Sequence, residues 1–168
     1  MRTLLIAYLF VLPIGLCNAQ SAPVKPIEPA SIGIVYRIDP SSQELKPLPD
    51  EQWKETGRLV WPVAAYQSVV VAHPQSTFRI KAGETIEFTF KTGSPEKVSL
   101  YRFERKGKKR EFDYYREGST SGNKVLKGLP VDVTTYGERS YKLTPGTALT
   151  PGEYAITIAG TIYSFGVD

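Results

Sequence analysis

The chain has 168 residues, of which 41% are hydrophobic and 23% are charged, and its formal net charge at pH 7 is +4. This composition is typical of one globular domain and too small for two large ones. A single Cys and a single His argue against a disulfide-stapled scaffold, a Cys/His zinc module and a cysteine–histidine catalytic pair.

Residues 1–19 have the pattern of a secretory signal peptide that is cleaved after Ala19. Arg2 supplies the positive start, and residues 3–16 are uncharged and mostly apolar. Small side chains at Cys17 and Ala19 fit the requirement of the cleavage enzyme at these positions. We therefore expect an exported protein, secreted or periplasmic, which loses its only Cys with the leader.

Two alternatives for this segment are disfavoured. A membrane anchor needs about 20 apolar residues, and the uncharged run covers only residues 3–16. A lipid anchor on Cys17 would require a small residue before it, where the chain has Leu16.

Residues 20–30 carry a proline at every third position from Pro23, which is typical of an extended tether.

Residues 31–168 are predicted to form one all-β domain of about eight short antiparallel strands, because short alternating or β-branched runs are separated by turn residues at regular intervals. Pro47 and Pro49 confine the run at 45–48 to a sheet edge. Residues 50–58 are the only stretch expected to form a helical turn. The other segments with a strand-like pattern cover residues 32–38, 69–71, 77–80, 85–90, 98–104, 110–116, 131–133, 140–143, 154–159 and 161–167.

The runs at 98–104 and 110–116 are predicted to form a hairpin with a two-residue type II′ turn at Gly107 and Lys108. This register places Glu104 opposite Glu111 and Arg105 opposite Arg110. Because like charges directly opposite each other are unfavourable, a register slipped by one residue remains an alternative.

Leu149-Thr150-Pro151-Gly152-Glu153-Tyr154 has the form of a tyrosine corner. Pro151 and Gly152 turn the chain, and Tyr154 is expected to bury its ring while its hydroxyl reaches a carbonyl of the corner. The alternative is a plain turn with a surface tyrosine. The corner favours an immunoglobulin-like sandwich.

With the corner, four further segments occur in a characteristic order: residues 32–36, 78–90, 141–145 and the C-terminal 165–168. In this arrangement the chain resembles an uncharacterised family of exported bacterial small β-sandwich proteins. The resemblance implies the fold and the export of the protein. Its motifs are turn and core motifs, so it implies no catalytic residue.

Few residues have the pattern of a catalytic or metal site. His73 precedes a proline in an expected loop, and residues 118–122 miss the Gly-x-Ser-x-Gly motif because Thr120 is central. Glu84 and Glu87 fit a solvated strand face better than a glycosidase pair. The loop at 39–44 lacks the acidic density of a calcium loop. We therefore expect no catalytic residue, no metal and no cofactor.

The clearest functional signal is positive charge. Residues 96–117 carry eight Lys or Arg and five Asp or Glu, whereas the rest of residues 20–168 is balanced. A basic hairpin with interleaved aromatics could bind an anionic glycan, a lipid surface or an envelope protein. The alternative is that charged strands only keep the hairpin soluble. The candidate contact residues are Arg105, Lys106, Lys108, Lys109 and Arg110.

Trp53 and Trp61 form a weaker signal, since exposed tryptophans can stack on sugars but more often cap a core. The expected function is a non-enzymatic binding or interaction module of the cell envelope, without nucleic acid as a partner. The alternative is a purely structural accessory subunit of an envelope assembly, and a small hydrolase is disfavoured.

Overall fold

The computed structural model describes residues 26–60, 64–118, 124–126 and 128–168. Within these ranges the protein is all-β, with thirteen strands and one short 3-10 helix at Pro95–Lys97. The strands are β1 (Val35–Ile38), β2 (Leu45–Pro47), β3 (Trp53–Val60), β4 (Ala64–Val71), β5 (Arg79–Ile80), β6 (Phe88–Phe90), β7 (Ser99–Lys106), β8 (Lys109–Gly118), β9 (Lys124–Val125), β10 (Val131–Tyr136), β11 (Ser140–Pro145), β12 (Gly152–Ile158) and β13 (Thr161–Val167).

The first sheet has five antiparallel strands in the order β10-β11-β6-β1-β2. Its central strand, β6, pairs with β1 on one side and β11 on the other, so that Phe90 faces both Val35 and Tyr141. The edge position of β2 confirms the prediction from Pro47, which has no N–H to give to a further neighbour.

The second sheet runs β3-β4-β8-β7-β12-β13-β5, and β9 pairs with β8 outside this path. All its pairings are antiparallel except that of β13 with β5. Strand β7 links two parts of this sheet, because residues 99–103 pair with β12 whereas residues 104–106 pair with β8.

The two sheets enclose one main hydrophobic core, which gives the protein a sandwich-like arrangement. The first sheet contributes Phe88 and Leu143, and the second contributes Leu100, Ile156 and Phe165, all fully buried. The rings of Phe88 and Phe165 meet across the core with centroids 4.8 Å apart. Burial of this apolar surface is the main force that holds the sheets together.

A second core lies on the opposite face of β12. Successive side chains of a strand point to opposite faces, so Ala155 belongs to the second core while its neighbour Ile156 belongs to the first. Val69 of β4 and Phe112 of β8 face each other in the ladder and pack in this second core with Ala155 and Ile162. The β3-β4-β8 part therefore covers the outer face of β12 and β13.

The tyrosine corner has the expected geometry. Tyr154 is 1% exposed, and its hydroxyl donates a hydrogen bond of 2.6 Å to the carbonyl of Thr150. Its ring stacks on Phe165, with centroids 5.4 Å apart. The corner thereby fixes the start of β12 against β13 in the main core.

Two expectations from the sequence are wrong. Residues 53–60 form strand β3 and not a helical turn, because each of them finds a partner in β4. The described residues also contain thirteen strands where about eight were expected, since two-residue and three-residue strands leave little periodic signal. The signal peptide at 1–19 and the tether up to residue 25 lie outside the described residues.

Candidate functional site

The β7–β8 hairpin has the register predicted from its sequence. Gly107 has a φ of +62° at the turn, which a type II′ turn requires at its first position. Glu104 pairs with Glu111 and Arg105 with Arg110 in the ladder. The slipped alternative is therefore wrong, and the two like-charge pairs need counter-charges from elsewhere.

In each like-charge pair, at least one member is compensated by an opposite charge. The ammonium of Lys106 forms an ion pair with Glu111 and lies 3.9 Å from Glu104, so one cation sits between the two carboxylates. The guanidinium of Arg110 forms ion pairs with Glu51 and Glu153. These pairs remove the repulsion that favoured the slipped register.

The exposed residues Arg105, Lys106, Lys108 and Lys109 form what we call the cationic tip. Apart from the pairs of Lys106, no carboxylate of the described residues neutralises it. Three positive charges therefore lie free within five positions around a tight turn. This is a local excess that solvent screens but does not cancel.

Arg110, the fifth candidate contact residue, is not part of the tip. Its side chain is fully buried, and the guanidinium also lies 4.9 Å from the centroid of the Phe103 ring. Arg110 pairs with Val71 in the ladder and lies over Phe103, both members of the second core, whereas Lys109 is exposed. The sequence prediction that Arg110 contacts an anionic partner is corrected accordingly.

The polar groups around Arg110 form a network that we call the buried ion cluster. Glu153 accepts from Arg110, from Arg79 and from the backbone N–H of Ser76. Ser164 lies within hydrogen-bond distance of Arg110. The cluster joins β5, β8, β12, β13 and the loop before β5, and it anchors the hairpin from which the cationic tip extends.

Three aromatic residues of the hairpin, Tyr101, Phe103 and Phe112, pack against one another. Phe103 and Phe112 are each 5% exposed and meet edge to face with centroids 5.3 Å apart. Tyr101 stacks on Phe112 with ring centroids 4.3 Å apart. Phe103 and Phe112 belong to the second core, and Tyr101 packs against it. The cationic tip itself carries no aromatic side chain.

The other residues considered from the sequence do not assemble a catalytic group. His73 is exposed in the loop after β4. Glu84 pairs with Arg37 at 2.7 Å and Glu87 with Lys142 at 2.8 Å, in separate ion pairs. Asp39 accepts hydrogen bonds from Ser41, Ser42 and Lys46, which hold the pKa of its carboxyl well below the usual range.

In the ranges that the structure describes, no three His, Cys, Asp or Glu side chains come together in a way that could hold a metal ion. The same ranges contain no helix with the length and apolar character needed to cross a lipid bilayer. Residues 119–122 of the near-miss motif and Trp61 lie outside the described residues.

Sequence reasoning missed one feature, a cavity of about 270 Å³ lined by aromatic side chains of β3, β7 and β8. Trp53, which was considered only together with Trp61, lies at its rim and is 41% exposed. The alternation of Trp53 and Glu55 would have placed both on one face, had residues 53–60 been recognised as a strand.

Comparisons with protein-family models, with curated proteins and with solved structures gave no match. The fold and the site therefore rest on the chain's own residues.

Proposed function

We propose that the protein is an exported, non-enzymatic binding module of the cell envelope, which attaches to an anionic surface through the cationic tip. The single observation that carries the proposal is the exposure of Arg105, Lys108 and Lys109 without an acidic partner among the described residues. Charges that a fold does not neutralise internally are available to a partner of opposite sign.

The arrangement beneath the tip supports this role. Arg110 is held by Glu51 and Glu153, so the base of the hairpin is fixed while its end extends into solvent. A fixed base keeps the three free cations together, and this reduces the conformational entropy that is lost on binding. The partner chemistry that fits is a repeated anionic group, as on an acidic glycan or an anionic lipid surface.

The proposed location and topology have their own support. The leader-like residues 1–19 and the resemblance to exported small sandwich proteins favour the envelope. The hydrogen bond from Tyr154 to Thr150 favours an immunoglobulin-like order of strands, in which such a corner is frequent.

The test is binding to phosphatidylglycerol vesicles and to an acidic polysaccharide. The triple variant Arg105→Ser, Lys108→Ser, Lys109→Ser should lose most of the binding. The matched control Lys54→Ser, Lys81→Ser, Lys97→Ser removes three exposed cations elsewhere and should retain it. Both variants change the net charge equally, so the comparison isolates the position of the charges.

Salt provides a second readout. Binding through the tip should weaken as salt rises from about 0.05 to about 0.2 M, because added salt shortens the screening length and weakens the attraction between exposed charges. If the tip variant binds as tightly as the unchanged protein, or if both variants lose binding equally, the cationic tip is not the contact surface.

A structural accessory subunit is the second candidate function, and one observation favours it. Strand β3 lies at the end of the second sheet and is eight residues long, with Leu59 72% exposed. A long edge strand can pair with a strand of a neighbouring protein, although Lys54 and Arg58 protect against random pairing. Co-purification of an envelope protein, lost on Leu59→Lys, would support it, and an isolated monomer after gentle extraction would argue against it.

A further inference from the structure

The cavity of about 270 Å³ lies where β3, β4 and β8 cover the outer face of β12 and β13. Residues that face each other in antiparallel strands point to the same side of a sheet. The row Glu55, Val69 and Phe112 therefore shares one face across β3, β4 and β8. This face lines the cavity together with Ile162 of β13.

The walls of this cavity are aromatic on several sides. Tyr101 and Phe112 stack on each other at one wall, and Trp53 and Tyr114 line it from β3 and β8. Trp53 is 41% exposed, so its large indole is not buried in either core. We call this cavity the aromatic pocket, and its main lining residues are Trp53, Glu55, Tyr101, Phe112, Tyr114 and Ile162.

The aromatic pocket has one charged side chain among its described lining residues, the carboxylate of Glu55. No Lys or Arg in the described part of the chain forms an ion pair with it, although the protein as a whole is basic. The hydroxyl of Tyr114 hydrogen-bonds the carboxylate. Burial and the carboxylate raise the pKa of Tyr114 to about 12, so the phenol stays protonated and holds Glu55 without neutralising it.

We propose that the aromatic pocket binds a small organic cation, an alkylammonium or quaternary ammonium ion, with Glu55 as the counter-charge and Trp53 and the tyrosines as the surrounding aromatic surface. Aromatic faces attract such cations electrostatically, and the exposed carboxylate of Glu55 at the same cavity adds an ion pair. This site is separate from the cationic tip and does not depend on the proposed function.

The lining favours a cation over the two other ligand classes that aromatic clefts accept. A small anion would be repelled by the negative charge of Glu55. A sugar would bring several hydroxyl groups, and each buried hydroxyl needs a partner. The two most polar groups of the pocket, Glu55 and Tyr114, already bond to each other. Besides these two, the hydroxyls that the lining side chains offer a sugar are those of Tyr101, Thr157 and Thr161.

The experiment is calorimetric titration of the purified protein with tetramethylammonium, choline and 3,3-dimethylbutanol, the neutral isostere of choline. We expect the two cations to bind and the neutral alcohol to bind much more weakly. Choline as a free ion and phosphatidylcholine vesicles distinguish a dissolved cation from a lipid headgroup. Glucose and N-acetylglucosamine test the sugar alternative.

Two variants assign the binding to the pocket. Glu55→Gln keeps the shape and removes the charge, and it should weaken cation binding roughly tenfold, whereas Trp53→Leu keeps an apolar side chain without the aromatic face and should weaken it about fivefold. Glu44→Gln, an exposed carboxylate in the loop before β2, is the matched control and should leave binding unchanged. Because Trp53 and Glu55 lie on an edge strand, the unfolding midpoint should stay near that of the unchanged protein.

Several results would overturn the proposal. Equal affinity for choline and its neutral isostere would show that the pocket binds through apolar contact alone and does not recognise the charge. Sugar binding without cation binding would assign it to carbohydrate. Absence of cation binding at any concentration, or cation binding that Glu55→Gln and Glu44→Gln change equally, would exclude Glu55 as the counter-charge.

Discussion

Arg110 and Glu153 lie 43 residues apart in the sequence, yet their side chains form a buried ion pair with Nη1 2.9 Å from Oε2. The side chain of Arg110 is fully buried, and that of Glu153 is 11% exposed. Glu51 supplies the second carboxylate, so the charge of the guanidinium is compensated on two sides. This relationship fixes β8 on β12 and determines which part of the basic hairpin reaches solvent.

The first prediction concerns this pair. Arg110→Ala should lower the free energy of unfolding by about 3–5 kcal/mol, because in a shielded site it leaves Glu51 without its cation and Glu153 with Arg79 alone. Lys109→Ala, which removes the neighbouring exposed cation, should change it by less than about 0.5 kcal/mol. Urea unfolding measures both. Equal effects of the two substitutions would mean that Arg110 is solvated like the tip.

The burial of Arg110 could not be predicted from the sequence. In the segment 105–110, Arg110 has the same charge and similar neighbours as the residues of the cationic tip. What distinguishes it is contact with Glu51 and Glu153, which lie 59 and 43 residues away. Such long-range pairing leaves no mark in local charge patterns, whereas the turn at Gly107 and the tyrosine corner are local and were predicted correctly.

The conformation of strand β3 could not be predicted from the sequence either, because it too depends on a distant partner. Residues 53–58 combine tryptophan, charged residues and glycine, and they show no apolar alternation. They are extended because all eight residues of β3 pair with β4, so the partner and not local propensity determines the conformation. The aromatic pocket was missed for the same reason, since its walls come from strands that are distant in sequence.

A second prediction tests the tyrosine corner. Tyr154→Phe keeps the buried ring and deletes the hydroxyl that donates to Thr150. The free energy of unfolding should fall by about 1 kcal/mol, which is the usual net value of such a hydrogen bond. Tyr141→Phe is the matched control, because the ring of Tyr141 stacks on Phe90 and its hydroxyl has no hydrogen-bond partner among the described residues. Chemical denaturation of both variants shows whether the loss is specific to the corner.

A third prediction follows from the tyrosine pKa values. Burial, assisted by Glu55, raises the pKa of Tyr114 to about 12, whereas an unfolded chain gives about 10. Between these values the folded protein retains a proton that the unfolded chain has lost, so stability is full below about pH 10 and falls as the pH rises toward 12. Burial also raises the pKa of Tyr136 and of Tyr163, which act in the same direction.

The measurement is the free energy of unfolding as a function of alkaline pH, with phenolate absorbance as a direct titration. Tyr114→Phe should reduce the slope above about pH 10 by its own share and leave the rest to Tyr136 and Tyr163. A slope that is unchanged in Tyr114→Phe would show that the phenol ionises as readily in the folded protein as in the unfolded chain.

The fourth prediction concerns the segment that runs from β9 to β10. Gly128 lies so close to β7 that an added Cβ would collide with the backbone carbonyl of Leu100. The neighbouring Leu129 N–H donates a hydrogen bond of 2.6 Å to that same carbonyl. Leu100 is itself fixed by its pairing with Ile156, so the strand cannot move away and the segment from 128 would have to lift off.

Gly128→Ala should therefore destabilise the protein by about 1–3 kcal/mol and accelerate hydrogen exchange of the Leu129 amide. Gly93→Ala is the matched control, since a Cβ there meets nothing within 4 Å and should change stability by less than about 0.5 kcal/mol. Thermal unfolding and amide exchange of both variants provide the comparison. If Leu129 exchanges equally slowly in the two, the close approach of Gly128 to β7 does not hold this segment in place.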